Sequence, residues 1–172
     1  GDVYKRQLKF YKEALSKDQE GVMMKNLNAP YQPGSRVGYG VKIKPIMEPL
    51  DLVITGAEWG QGRRAHWLSS FVLACKSNGK LLEIGKMGTG LSDEQFSEIT
   101  KKLKPLIINE EGKQVKVKPV IIVEVGYEEI QKSPTYSSGY ALRFPRLMRF
   151  RPDKEEPDSI ERIIEIYKSQ GK

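Results

Sequence analysis

The 172-residue chain has one cysteine, one histidine and no long apolar run. A lone cysteine, Cys75, leaves no partner for an internal disulfide and too few thiolates for a cysteine-based zinc site. It closes the apolar stretch Phe71-Val72-Leu73-Ala74-Cys75, where an inert buried thiol is the expected reading. A lone histidine, His66, excludes a His-rich metal site and reads as a surface residue rather than a catalytic one. No apolar stretch approaches the roughly 20 residues that a membrane-spanning helix needs. The first residues are polar and hold no apolar segment of a secretory signal. Cytoplasm, no membrane contact and a monomer are the expectations.

What is present is positive charge. Lysine and arginine number 29 against 22 aspartates and glutamates, a formal net charge of +7. That excess favours a polyanion as partner, nucleic acid first and an anionic membrane surface second. The cations also cluster. Arg143, Arg146, Arg149, Arg151 and Lys154 share one short window, and Arg63 and Arg64 sit in a Gly-rich turn.

Periodicity organises the rest. Leu8, Tyr11 and Leu15 recur at helical spacing and predict a short amphipathic helix over 8–16. A strand-like run follows at 20–25, then a loop rich in Pro, Gly, Asn and Ser at 26–40, then a strand at 41–44 with lysine on one face. The prolines at 45 and 49 break the pattern, which puts a domain boundary between 8–47 and 48–172. Beyond it, strands are expected at 50–59, 68–76, 80–87 and 120–125, with an Asn78-Gly79 hairpin turn. Ser92-Asp93-Glu94-Gln95 is a capping box ahead of Phe96, Ile99 and Leu103 on one helical face. A closing helix is expected with Asp158 as its cap, Glu161 three residues on, and an Ile160, Ile163, Ile164, Tyr167 stripe docked on the barrel or on its neighbour. Several short strands with one inserted helix predict a mainly β domain, an oligonucleotide-binding (OB) barrel first and a β-sandwich second. Residues 2–7, Asp-Val-Tyr-Lys-Arg-Gln, resemble one frame of the transposon end used in sequencing libraries. Residues 1–7 are therefore expected to be foreign, with native sequence starting near Leu8; an ordinary polar helix start is the alternative.

Several segments carry a family likeness, the loop Gly60-Gln61-Gly62-Arg63-Arg64-Ala65-His66 among them. Glu20-Gly21-Val22-Met23-Met24-Lys25 and Val41-Lys42-Ile43-Lys44 resemble motifs IV and V of the ATP-dependent DNA ligases, of archaeal and eukaryotic type. The run from Glu124-Val125-Gly126-Tyr127 through Ser133-Pro134-Thr135-Tyr136-Ser137-Ser138-Gly139 and Arg143-Phe144-Pro145-Arg146 follows the family order. It ends at Arg151-Pro152-Asp153-Lys154, which resembles motif VI. The resemblance implies an OB domain at 48–172, preceded at 8–47 by the last part of an α+β adenylation domain. It implies that Glu20 helps hold Mg²⁺ or another divalent cation beside nucleotide phosphates. It implies that Lys42 and Lys44 stabilise charge on a phosphate in transfer. Arg151 and Lys154 would contact the β- and γ-phosphates of ATP, with Asp153 as orienting partner. Arg63, Arg64, Arg143 and Arg146 would meet DNA, and Phe144 would wedge into the minor groove beside a nick.

The residues alone leave other readings open. Glu20 reads equally as a solvated residue before a strand, Lys-x-Lys as a solvated face, and Phe144 as a core residue. The family often has an aromatic residue directly before motif V; here Gly40 stands there, with Tyr39 one step earlier. No Lys-x-Asp-Gly occurs in the chain. The resemblance implies that this missing lysine is the group that would carry AMP, so these 172 residues are not expected to adenylate themselves. The implied parent enzyme uses ATP and two metal ions to seal nicked duplex DNA. Two alternatives stand beside it. One is a stand-alone OB module binding single strands on Tyr127, Tyr136 and Tyr140. The other is an RNA ligase or capping guanylyltransferase of the same superfamily.

Overall fold

The computed structural model describes residues 2–17, 19–34 and 38–170. Gly1 and part of the loop expected at 26–40 lie outside them. The chain divides into two compact units, residues 1–46 and 47–172.

The first unit holds α1 (Asp2–Ser16), β1 (Val22–Lys25) and β2 (Gly40–Ile43). The helix begins at Asp2 rather than near Leu8, so residues 2–7 continue its first turns. Strands β1 and β2 pair antiparallel, with Met23 opposite Lys42 and Val22 opposite Ile43. No described residue of this unit is fully buried, and Phe10, Met23 and Val41 are exposed.

The second unit is a mainly β domain built on β3 (Leu50–Trp59), β4 (Leu68–Ser77) and β5 (Lys80–Met87). Their length and alternating apolar residues give each strand a buried face. After β5 come α2 (Asp93–Leu103), β6 (Ile107–Glu111), β7 (Gln114–Val117), β8 (Ile122–Gly126), β9 (Glu129–Lys132), β10 (Tyr140–Arg143), β11 (Arg146–Phe150) and α3 (Ile160–Ser169). Strand β3 is the hub. One edge pairs with β4; the other pairs with β8 over Leu50 to Val53 and with β7 over Gly56 to Glu58. Register shifts in the β3–β4 ladder bend the sheet around the core. The sheet runs β11-β8-β3-β4-β5, and β9–β10 form a separate ribbon. That ribbon approaches β5 through Ser138, whose N–H donates to the Glu83 carbonyl at 3.1 Å. Among the described residues no strand ladder closes the ring.

The inserted helix follows the capping-box expectation. Gln95 N donates to Ser92 Oγ at 3.2 Å, and Ser92 N donates to Gln95 Oε1 at 2.9 Å. Phe96, Ile99 and Leu103 are fully buried against Phe71 and its neighbours. The closing helix docks on its own unit, with Ile163 fully buried. Its cap is Ser159, one residue later than expected, because Asp158 is already engaged. The Asp158 carboxylate accepts from Asp51 N at 2.8 Å, and its carbonyl accepts from Lys76 N at 3.0 Å. Strands β6, β9, β10 and β11 carry no period-two run long enough to be expected from sequence, whereas β7 alternates cleanly at Gln114-Val115-Lys116-Val117 and was missed. No helix among the described residues is long and apolar enough to cross a membrane.

Candidate phosphate site and nucleic-acid interface

In the first unit, the β1–β2 pairing brings together two of the motif residues. Lys44, one residue past β2, lies with its Nζ 3.5 Å from Glu20 Oε2, just before β1. Gly21 makes that approach possible. Its φ is +144°, and a Cβ there would stand 2.1 Å from the Ile43 carbonyl oxygen. Lys42 is exposed on the strand opposite Met23. The Glu20 carboxylate is open to solvent, and no cluster of three or more metal-binding side chains exists among the described residues. Glu20 can therefore hold a hard cation only together with phosphate oxygens and water, the usual Mg²⁺ arrangement.

In the second unit, Arg151 stands at the centre of a network of carboxylates. It follows β11, and its backbone N–H donates to the Ile122 carbonyl at 2.9 Å, which ties it to β8. Nη1 donates to both Asp51 oxygens at 2.9 and 3.0 Å. Nε and Nη2 donate to Asp153 Oδ1 and Oδ2 at 3.0 and 2.8 Å. Glu124 Oε1 lies 3.7 Å from Nη1, and Lys154 Nζ lies 3.5 Å from Asp51 Oδ2. Arg149 forks onto Glu124, with Nη2 3.2 Å from Oε1. The side chains of Arg151, Asp51 and Glu124 are 14%, 10% and 14% exposed, so the lower local dielectric strengthens the contacts among these three. The Asp153 hydrogen bonds raise the pKa of Arg151 further above its ordinary value, and Asp51 adds to this. Arg151 in turn holds the Asp153 carboxyl down at about 2. Arg149 lowers Glu124 below the ordinary glutamate value.

The other cations stand differently. Arg143 is paired with Glu129 at 3.0 Å and lies over the Phe144 ring at 5.4 Å. Phe144 is 58% exposed at φ +50°, which rules out the core reading left open for it. A bulky residue with positive φ is a backbone outlier, and Pro145 behind it is buried. Arg146 and Met148 on β11 are exposed beside it. Arg64 caps the Phe96 ring at 4.6 Å and lies 3.7 Å from Asp93, so it is partly spent on α2. Arg63 is exposed in the 3-10 turn Gly62–Arg64. A Cβ at Gly60 would stand 2.3 Å from the Arg64 carbonyl oxygen, so this loop closes only on glycine.

Several side chains read differently from the sequence-based expectation. Asp51 was not among the expected site residues. It lies in an apolar run and faces Glu124 only through the β3–β8 register. Arg149 was seen only as a member of the cation cluster, and Glu124 only as part of a family run. Tyr127 is 4% exposed, with its hydroxyl buried without a partner and its pKa pushed up to about 12 by burial. Tyr140 packs edge-on to Tyr167 at 5.2 Å. Neither is free to act as the stacking platform of a single-strand module. Cys75 is fully buried and burial raises its pKa to about 11, in keeping with an inert thiol.

Comparison with known proteins follows the same lines. A family described as the ATP dependent DNA ligase C terminal region matches residues 64–154. The DNA ligase of Nanoarchaeum equitans is 55% identical over 177 residues, covering 96% of this chain and 31% of that protein. The DNA ligase of Archaeoglobus fulgidus is 52% identical, covering 94% of this chain and 30% of that protein. The chain thus spans about 30% of the length of these curated relatives. Among solved structures, the ligase domain of M. tuberculosis LigD is 28% identical with a TM-score of 0.55, covering 84% of this chain and 48% of that one. A Lig E DNA ligase, at 17% identity and a TM-score of 0.55, covers 84% of this chain and 45% of its own, and shares the fold.

Proposed function

Because this chain belongs to the ATP-dependent DNA ligases through their C-terminal region, and its second unit has their OB fold, we propose that it works as the C-terminal part of a nick-sealing enzyme. The reaction joins a 5′-phosphate to a 3′-hydroxyl in duplex DNA by adenylyl transfer: adenylation of an enzyme lysine by ATP, transfer of AMP to the 5′-phosphate, and attack by the 3′-hydroxyl. These 172 residues hold no Lys-x-Asp-Gly, so the chain as it stands does not adenylate itself. The first unit, as the last part of an adenylation domain, supplies Lys42 and Lys44 as cations for a phosphate in transfer. Glu20 would hold a divalent cation, whose charge would offset that of the nucleotide phosphates. The second unit supplies Arg151 and Lys154 for the β- and γ-phosphates and Arg63, Arg64, Arg143, Phe144 and Arg146 for the DNA.

The observation that carries this reading is the convergence of Arg151 and Lys154 on one carboxylate, Asp51, at 2.9 and 3.5 Å. Two cations gathered on one side chain can gather equally on a polyphosphate. A competition assay on the chain tests the DNA half of the reading. Nicked duplex is expected to displace a labelled nicked duplex better than a poly-pyrimidine single strand does. The reverse preference would instead support the stand-alone single-strand module.

A further inference from the structure

The guanidinium of Arg151 presents two edges, and two very different carboxylates occupy them. Asp51 takes the Nη1 edge with both oxygens at 2.9 and 3.0 Å. It is 10% exposed, sits on β3, and is clamped by Asp158, whose backbone N–H donates to its carbonyl at 2.7 Å. Asp153 takes the Nε and Nη2 edge at 3.0 and 2.8 Å. It is 62% exposed and sits in the turn just past Arg151. That second edge is the paired-donor fork with which arginine grips a phosphate, one oxygen to each N–H. A carboxylate already lies across it in the same two-pronged way.

Charge points the same way. Arg149, Arg151 and Lys154 are matched here by Asp51, Glu124 and Asp153. A matched network has no excess to draw in an anion, so one of its own anions must leave when a phosphate arrives. Asp51 and Glu124 are shielded and strand-bound. Asp153 alone has solvent to return to. With its carboxyl held at about 2, Asp153 stays ionised near neutral pH, so it leaves by competition and not by protonation.

We propose that Asp153 is a displaceable stand-in for phosphate on the Nε/Nη2 edge of Arg151, and that Asp51 is the fixed positioning residue that keeps the guanidinium aimed when Asp153 leaves. The inference rests on the reading above that Arg151 takes nucleotide phosphates. It assigns opposite roles to two carboxylates on one guanidinium, whereas an orienting role for Asp153 would give them the same sign.

The test titrates the full chain with inorganic tripolyphosphate, following both heat and the Arg151 Nε–H resonance. Asp153→Asn is expected to tighten binding by about two- to fivefold, the range that removing one exposed competing ion pair supports. Asp51→Asn is expected to weaken it and to shift the Arg151 Nε–H signal while the amides of α2 stay in place. Arg151→Ala is expected to abolish most of the binding. Asp153 is exposed, so its variant folds and decides the matter alone. Unchanged or weaker binding by Asp153→Asn, with Arg151→Ala still losing affinity, overturns the inference and leaves the phosphate role of Arg151 standing. Unchanged binding by Arg151→Ala overturns both.

Discussion

Residues 1–46 and 47–172 both carry lysines or arginines expected to handle phosphate, but what stands behind those side chains differs. In the second unit a continuous core of Leu50, Leu52, Ile54, Phe71, Leu73, Phe96 and Ile163 fixes the strands that bear the charges. In the first, no described residue is buried, and Lys42 and Lys44 are placed by a short antiparallel ladder and one glycine. The contrast recurs inside the second unit. Arg151 is surrounded by three carboxylates, while Arg146 and Phe144 face solvent. A charge held by a core keeps its geometry whether or not a ligand is present. A charge on a bare hairpin or edge keeps only what its backbone enforces.

The largest effect that can break this comparison is on stability. Phe71→Ala removes a fully buried ring packed against Phe96 at 6.4 Å. Denaturant unfolding of the second unit should lose about 3–5 kcal/mol, from lost transfer energy and a residual cavity. Met24→Ala, on the exposed strand β1, should stay within about 0.5 kcal/mol. Equal losses would mean that β1 is packed as firmly as β4.

Backbone enforcement in the first unit has its own test. Gly21→Ala puts a methyl group 2.1 Å from the Ile43 carbonyl at φ +144°. The strand must pull away, at a local cost of about 1–3 kcal/mol. Hydrogen exchange should then speed up across β1 and β2 and leave β3 and β4 unchanged. Undisturbed exchange in the β1–β2 ladder would show that Gly21 does not set the spacing between Glu20 and Lys44.

How much of this could be read from the sequence varied with the same contrast. Strands β3, β4 and β5 were legible because their apolar faces repeat over eight to ten residues. Helix α2 was legible because Ser92 and Gln95 announce its first turn. Strands β6, β9, β10 and β11, of four or five residues each, hold too few periods and too many polar positions to announce themselves, while β7 alternates as regularly as 41–44 and could have been read. The cap of α3 was misplaced by one residue because Asp158 and Ser159 are both good caps. Only the tertiary bond from Asp51 N to the Asp158 carboxylate decides between them. Arg151 stood out by its motif, but Asp51, one hundred residues away, did not. A single carboxylate in an apolar strand says nothing until the strand's neighbours are known.

A smaller effect sharpens the contrast within the second unit. Arg143 is held by Glu129 at 3.0 Å, whereas Arg146 is exposed. If both meet DNA phosphates, Arg146→Ala should lower the slope of log affinity against log salt by about 0.9, the value for one phosphate contact. Arg143→Ala should lower it by less, since binding there first costs the Glu129 pair. Binding of nicked duplex across a salt series measures both. An unchanged slope for Arg146→Ala would place that edge away from the DNA.

The smallest effect compares two backbones. Only Asn78 and Phe144 combine a side chain with positive φ among the described residues, at 46° and 50°. Asn78 sits in the β4–β5 turn, where asparagine adopts that conformation at little cost. Phe144 has no such excuse. Its ring is 58% exposed, so the strain is not offset by burial. Phe144→Gly relieves the strain but adds chain entropy to the unfolded state, so the net gain should be small, about 0.5 kcal/mol by thermal unfolding. Asn78→Gly, with little strain to relieve, should gain nothing. If Phe144→Gly also weakens binding to nicked duplex relative to intact duplex, the strain is retained for the ring's contact with DNA. If nicked and intact duplex are affected alike, the ring does not sense the nick, and its conformation needs another cause.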